Sequence, residues 1–421
     1  LNYDRRERSL TVGYEAYTQY LESHHHDSSE LTAILVEWAE MNTGSLNLAG
    51  LEKFVALLEK RFLGLGAEVE TIPLQPQTRI LPEGRTSLPL GKALSATKRL
   101  DAPIRVLFTI HYDTVYGLEH PFQKCRFLNA NTLQGPGVAD AKGGLLVLCG
   151  AIELFENSPW ADLLGWEVII TPDEEIGSTG SKHLLLDRAK RSDVALVFEP
   201  ALPDGSIVGS RSGSTVYSAR IKGRSAHAGR DPERGRNAIH AMAGFIMDMI
   251  EPLEKYPGIN INVGEILGGG PVNMVPDLVY ARFNIRTRNE DDERIVQDTL
   301  SKLSADLNAR DGFALELNVD YSRPPKIMDS KSQAFFNQLV NCGHEIGVEI
   351  KWGHSRGASD GNIIAQAGIP VLDGLGVRGG ALHSSDEYIN VDSLVERIRL
   401  SVIALIGLAC GDIQIDKNIP R

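Results

Sequence analysis

The apolar residues of this chain change their period part-way along it. Val106-Leu107-Phe108, Val168-Ile169-Ile170 and Val194-Ala195-Leu196-Val197-Phe198 are unbroken apolar runs, the pattern of strands covered by helices on both faces. From Ser214 to about Arg323 the pattern becomes alternation, through Tyr217, Ala219 and Ile221, then Val279, Ala281, Phe283 and Ile285, then Leu315, Leu317, Val319 and Tyr321. A period of two means one buried face and one wet face. The two sets of strands belong to different sheets.

Helical spacing at 31–41, 51–63 and 145–155 supplies cover for the first set, and Gly64 and Gly66 stop the second of these helices. Within the alternating region a helix over 237–253 presents Ile239, Met242, Phe245, Ile246 and Met249, and another spans 292–309. With a strand at 259–263 the order becomes β-α-β-β-α-β, the ferredoxin-like unit. The expected class is α/β: a helix-flanked mixed sheet (1–213 and 324–421) carrying an inserted ferredoxin-like α+β domain (214–323). After Pro324 and Pro325 come a helix at 333–345 and a strand at 370–375, while 75–99, rich in Pro, Gly and Arg, reads as a surface excursion.

At 421 residues and 42% hydrophobic content, the chain has apolar material for two ordinary domains. A net charge of -12 argues against a nucleic-acid partner. Cys125, Cys149, Cys342 and Cys410 are scattered, so neither a disulfide framework nor a thiolate metal site is expected, and a reducing cytoplasm fits. No apolar run is long enough to cross a membrane, and residues 1–21 are too polar for a signal; with no Met at position 1, a leader removed earlier stays open. Gly135-x-Gly137 is a poor dinucleotide fingerprint, and no Gly-Lys-Ser/Thr loop occurs.

Acidic and imidazole side chains gather just past the apolar runs. His111 and Asp113 follow 104–110, Glu174 and Glu175 follow 166–171, and Glu199 follows 194–198; ligand sites of open α/β sheets collect at that edge. Asp140 lies between Gly135-Pro136-Gly137 and Lys142-Gly143-Gly144, in a tight turn opening a helix, and His383 lies far downstream. Imidazole and carboxylate without thiolate typify zinc, with cobalt or manganese as possible substitutes. A turn like that of Asp140 can aim both carboxylate oxygens outward and bridge two ions. Asp113, two residues past His111, is placed to accept the imidazole's other N–H. Glu174 and Glu175 point apart on extended chain. Glu175 is assigned to metal, and Glu174 to taking a proton from water and handing it to a leaving amine.

Four segments then carry a family likeness. His111-Tyr112-Asp113-Thr114-Val115-Tyr116, Gly135-Pro136-Gly137-Val138-Ala139-Asp140-Ala141-Lys142-Gly143-Gly144, Asp173-Glu174-Glu175-Ile176-Gly177-Ser178 and Phe198-Glu199-Pro200 closely resemble the di-zinc metallopeptidase family. Its members include glutamate carboxypeptidase, acetylornithine deacetylase, succinyl-diaminopimelate desuccinylase and aminoacylase, and the motif spacing looks most like the first. The resemblance, from about Leu31 to the C-terminus, implies one zinc on His111, Asp140 and Glu199 and another on Asp140, Glu175 and His383. It also implies Glu174 as base on a water between them, and a cis peptide between Asp140 and Ala141.

For the inserted domain the resemblance implies dimerisation. His227, in Ser225-Ala226-His227-Ala228-Gly229, matches a histidine that reaches the partner subunit's site to stabilise the oxyanion, and Asn273 and Arg286 match positions that bind substrate carboxylate or carbonyl. Ala141 departs from the many relatives with a second acid there. Arg211 and Arg356 are further candidates for forking onto a substrate carboxylate. The expected activity is hydrolysis of an amide beside a free carboxylate, of the glutamate carboxypeptidase type, on a peptide or N-acyl amino acid. An N-acyl-amino-acid deacylase is the alternative. A catalytically silent ligand-binding member is disfavoured by Glu174, because binding alone requires no proton shuttle.

Overall fold

The computed structural model describes residues 13–415, so the beginning of the polar stretch 1–21 lies outside the described residues. Five strands of the main sheet come first: β1 (Glu68–Pro73), β2 (Lys92–Lys98), β3 (Arg105–His111), β4 (Gly165–Thr171) and β5 (Val194–Val197). The chain then leaves to build β6 (Gly213–Lys222), β7 (Asn260–Gly268), β8 (Leu278–Thr287) and β9 (Ala314–Arg323), and returns for β10 (Val371–Asp373). The main sheet runs β1-β2-β4-β3-β5-β10. It is mixed: β1, β2 and β4 pair antiparallel, and β4, β3, β5 and β10 pair parallel.

Alternate residues of the central strands feed two cores, which is why their apolar runs are unbroken. Val106, Phe108, Ile110, Val168 and Leu196 pack with the helices Leu48–Gly64, Gly144–Glu156 and Asp392–Cys410. Leu107, Ile169, Ala195 and Val197 pack on the other side with Leu185, Ile363 and Ile364, from helices Lys182–Lys190 and Asp360–Ala365. Each such fully buried large side chain is worth roughly 1.5–3 kcal/mol relative to exposure.

Residues 75–99 are only partly an excursion. Gln77–Leu81 and Gly84–Leu88 form a hairpin outside the main sheet, but β2 enters it between β1 and β4. Ala93, Leu94 and Ala96 are fully buried there. Its Lys-Ala-Leu-Ser-Ala-Thr-Lys sequence lacks the β-branched run that marks a strand, and helix Leu48–Gly64 packs directly upon it.

The second sheet runs β7-β8-β6-β9 with every neighbour antiparallel, the ferredoxin-like order. Helices Ala238–Leu253 and Glu290–Asn308 pack on one face, over a core of its own that includes Tyr217, Ala219, Phe245, Phe283 and Ile285. Asn237 and Asn289 cap their first turns. Met242, Phe245, Ile246 and Met249 face this core, whereas Ile239 is exposed. The alternation in β9 also breaks: Val216 pairs with Tyr321 but Tyr217 with Val319, so Asp320 is bulged out of register. A bulge shifts later residues to the opposite face. Val319 stays on the face of Tyr217 and Leu317, Tyr321 is turned to the opposite face beside Val216, and Asp320 is buried, accepting from Ser218 Oγ and Arg282 Nε. No helix among the described residues is long and apolar enough to cross a membrane.

Candidate metal centre and active site

Parallel neighbours bring the acidic and imidazole groups to one sheet edge. His111 is the last residue of β3, Glu174 and Glu175 open a short 3₁₀ turn beyond β4, and Glu199 lies just beyond β5. Asp140 arrives on a tight turn after Gly137, whose φ of 70° is left-handed, and its peptide bond to Ala141 is cis, as the resemblance implied. Helix Gly144–Glu156 starts hard against β5, because a Cβ on Gly144 would lie 1.9 Å from the Phe198 carbonyl oxygen. His383 comes on the loop beyond β10, with φ 60°.

Asp140 stands between two groups. His111 Nε2 is 3.0 Å from Asp140 Oδ1 and 3.8 Å from Glu199 Oε1. His383 Nε2 is 3.3 Å from Asp140 Oδ2 and 3.2 Å from Glu175 Oε2. In each set, His111–Asp140–Glu199 and Asp140–Glu175–His383, the possible ligand atoms lie within 4.8 Å of one another. Glu175 Oε1 and Glu199 Oε1 are buried without a hydrogen-bond partner. Burial, followed by like-charged neighbours, pushes Glu175 up to about 8 and Glu199 well above the usual carboxylate range. Burial also raises Glu174, against the pull of Arg323 and His111. Burial opposes ionisation of Asp140, yet hydrogen bonds to His111 and His383 hold it below the usual range. Asp140 and Glu175 raise His383 to about 11. Such a cluster of orphaned carboxylate oxygens and imidazoles suits two divalent cations of the zinc, cobalt or manganese kind.

The groups behind these residues revise one expectation and add two residues. His111 Nδ1 is 3.0 Å from the Asp113 carbonyl and 3.4 Å from its carboxylate, so the carbonyl, which can only accept, leaves Nε2 free of a proton in the neutral ring. The Asp113 carboxylate instead receives Ser45 Oγ at 2.7 Å and the N–H groups of Glu174 and Glu175 at 3.2 Å each. Glu387 accepts from the N–H groups of Gly137, Ala139 and Asp140 at 3.2, 2.9 and 3.0 Å. Arg323 Nη2 lies 3.0 Å from Glu174 Oε1 and 2.6 Å from the Glu174 carbonyl. Neither residue was picked from the sequence. Glu387 follows His383 by four positions and Arg323 directly precedes Pro324-Pro325, the only local signals they carry.

The family model for Peptidase family M20/M25/M40 matches residues 107–405. This chain belongs to that family. It is a metallohydrolase of the M20 group. Carboxypeptidase G2 of Pseudomonas sp. (strain RS-16) is 27% identical over 317 residues, which cover 73% of this chain and 74% of that enzyme. Succinyl-diaminopimelate desuccinylase of Acinetobacter baylyi is 28% identical over 280 residues, or 62% of this chain and 71% of that enzyme. Among solved structures, aminopeptidase PepT of Bacillus cereus superposes with a TM-score of 0.67 at 25% identity, over 91% of this chain and 99% of that one. An M20 family metallo-carboxypeptidase from Sulfolobus solfataricus gives 0.69 at 16% identity, over 90% and 98%, and speaks for the fold alone.

In this M20 chain a cavity of about 400 Å³ opens on Asp140, Glu174, Glu175, Glu199 and His383, and Arg211, Arg286 and Arg323 also line it. The reading of Arg211 as a substrate clamp is corrected: its Nε and Nη2 fork onto Asp373 at 2.7 and 2.8 Å, and Nη1 donates to the Gly357 carbonyl at 3.2 Å. Arg356 stands between Ser355 and Gly357, which line the cavity. It is exposed and does not line the cavity, and its backbone carbonyl accepts from Arg286 Nη1 at 2.7 Å. His227 and Asn273 lie together, joined by the Ala228 N–H to the Asn273 carbonyl at 2.9 Å, but both are exposed and neither lines the cavity.

Proposed function

We propose that this M20 metallohydrolase holds two zinc ions and cleaves an amide whose amine side carries a free carboxylate, as a carboxypeptidase does. The carrying observation is the position of Asp140, with one carboxylate oxygen toward His111 and the other toward His383. His111, Asp140 and Glu199 would hold one ion, and Asp140, Glu175 and His383 the other. Bound there, the pair supplies Lewis acidity to the scissile carbonyl and lowers the pKa of water. Glu174 takes the proton of the attacking water and delivers it to the amine nitrogen as the C–N bond breaks. Arg323 fixes one oxygen of that carboxylate, and Asp113 fixes the turn that carries it.

Arg286 receives the substrate carboxylate. Of the three cavity arginines it is the one without a carboxylate partner among the described residues. His227 and Asn273, exposed on the inserted domain, serve the site of a second copy, where His227 donates to the developing oxyanion. A homodimer through that domain is supported by β7, an edge strand exposing Ile266 and Leu267. The likeness to succinyl-diaminopimelate desuccinylase supports the second reading, an N-acyl-amino-acid deacylase. Zinc-loaded protein assayed on short peptides and on N-acetyl and N-succinyl amino acids separates them. Release of the C-terminal residue from peptides supports the first; turnover confined to acylated monomers supports the second; no turnover of either rejects both.

A further inference from the structure

The cavity is divided by chemistry. On the inserted side, Ser214 pairs in register with both Arg286 and Arg323, so hydroxyl and guanidinium groups cluster at one end of that sheet. On the main-sheet side the chain runs straight on from Glu199 through Pro200, Ala201, Leu202 and Pro203, and these line the cavity together with Val208 and Leu382. Ala201 and Val208 are buried in that wall.

Cations that could meet an anionic ligand are mostly committed elsewhere. Arg211 is forked onto Asp373, and Arg323 is held by Glu174 and lies 3.7 Å from Asp360. Lys326, behind the wall, does not line the cavity, and its ammonium donates to the carbonyls of Val208 and Gly209 at 3.0 Å each. Of the described arginines that line the cavity, Arg286 alone remains without a carboxylate, and its Nη1 donates to a backbone carbonyl. One such arginine matches one carboxylate. A second carboxylate, on a released side chain packed against Leu202 and Val208, would meet no uncommitted cation among the described cavity-lining residues, and a desolvated unpaired charge is strongly disfavoured.

We infer that the residue released from the substrate carries a single carboxylate, its α-carboxylate, and an uncharged apolar side chain that packs on the Ala201–Pro203 and Val208 wall. This rests on the hydrolase reading above and narrows it, away from the glutamate preference that motif spacing suggested. A cavity of about 400 Å³ lies toward the small end of ligand pockets, with room for one residue beside the scissile carbonyl.

The test uses zinc-loaded full-length protein and substrates sharing one acyl group, as N-acyl amino acids and as dipeptides, in which the released residue is Leu, Phe, Met, Glu, Asp or Lys. The kcat/KM for Leu or Phe is expected to exceed that for Glu by at least about tenfold. Val208→Lys, and independently Leu202→Arg at a less buried position, should shift the ratio toward Glu at unchanged metal content. Arg286→Ala should raise KM for every member without changing their ranking. Equal or faster release of Glu overturns the inference and leaves the hydrolase reading standing. No turnover of any member overturns both.

Discussion

The two halves of the ligand cluster are built by different means. His111, Asp140 and Glu199 are buried and sit at strand ends or at a helix start, so the parallel sheet itself fixes their spacing. His383 is 55% exposed at its side chain, on a loop with left-handed backbone at Ala381 and His383. What ties that loop to the rigid half is Glu387. Its carboxylate takes three N–H groups around Asp140, and the Tyr116 hydroxyl, with one proton to give, lies 2.8 Å from both that carboxylate and the Ser384 carbonyl. One half is positioned by the fold and the other by a side-chain clasp, so the second should be the first to fail.

The sharpest way to separate chemistry from metal retention is Glu174→Ala. Turnover is expected to fall by about 10²–10⁴-fold, the usual worth of a positioned acid/base, while elemental analysis still finds both ions. Near wild-type hydrolysis would remove Glu174 from its role.

Ligand deletion then compares the halves directly. In His383→Ala one ion per chain should stay tightly bound, in the buried half, whereas His111→Ala should weaken that half by at least about a hundredfold, more than loss of an outer partner usually costs. Equal metal loss in the two variants would abolish the asymmetry. Glu387→Ala should lower affinity by about 10–100-fold, mainly at the exposed half, with Glu387→Gln recovering part of it. Competition against a chelator measures both.

The last expected effect, which needs no substitution, is the pH dependence of metal affinity. In the metal-free protein His383 is pushed to about 11 and Glu175 to about 8, so a cation entering that half displaces their protons. Affinity should therefore rise with pH and fall more steeply below about pH 8, where two protons are displaced rather than one, by about tenfold per unit for each proton. A flat profile between pH 6 and 9 would contradict this.

The same contrast explains what could be read from the sequence. His111, Glu174, Glu175 and Glu199 were legible because each follows directly on an apolar run that is itself a strand. Arg211 was misread because its countercharge, Asp373, lies far along the chain and meets it only through the fold. Glu387 and Arg323 act on partners distant in sequence, so no local pattern marks them. Strand β2 hid behind small residues, and the bulge at Asp320 turned Tyr321 toward the cavity where strict alternation had placed it with Leu315, Leu317 and Val319. Local periodicity carries the elements; it does not carry which charges neutralise one another.

The central claim is a pair of cations sharing Asp140, and anomalous diffraction from zinc-replete crystals tests it most directly. Two peaks are expected on either side of that carboxylate, one contacted by His111 and Glu199 and the other by Glu175 and His383. A single peak, or a second one out of reach of His383 and Glu175, would contradict the account.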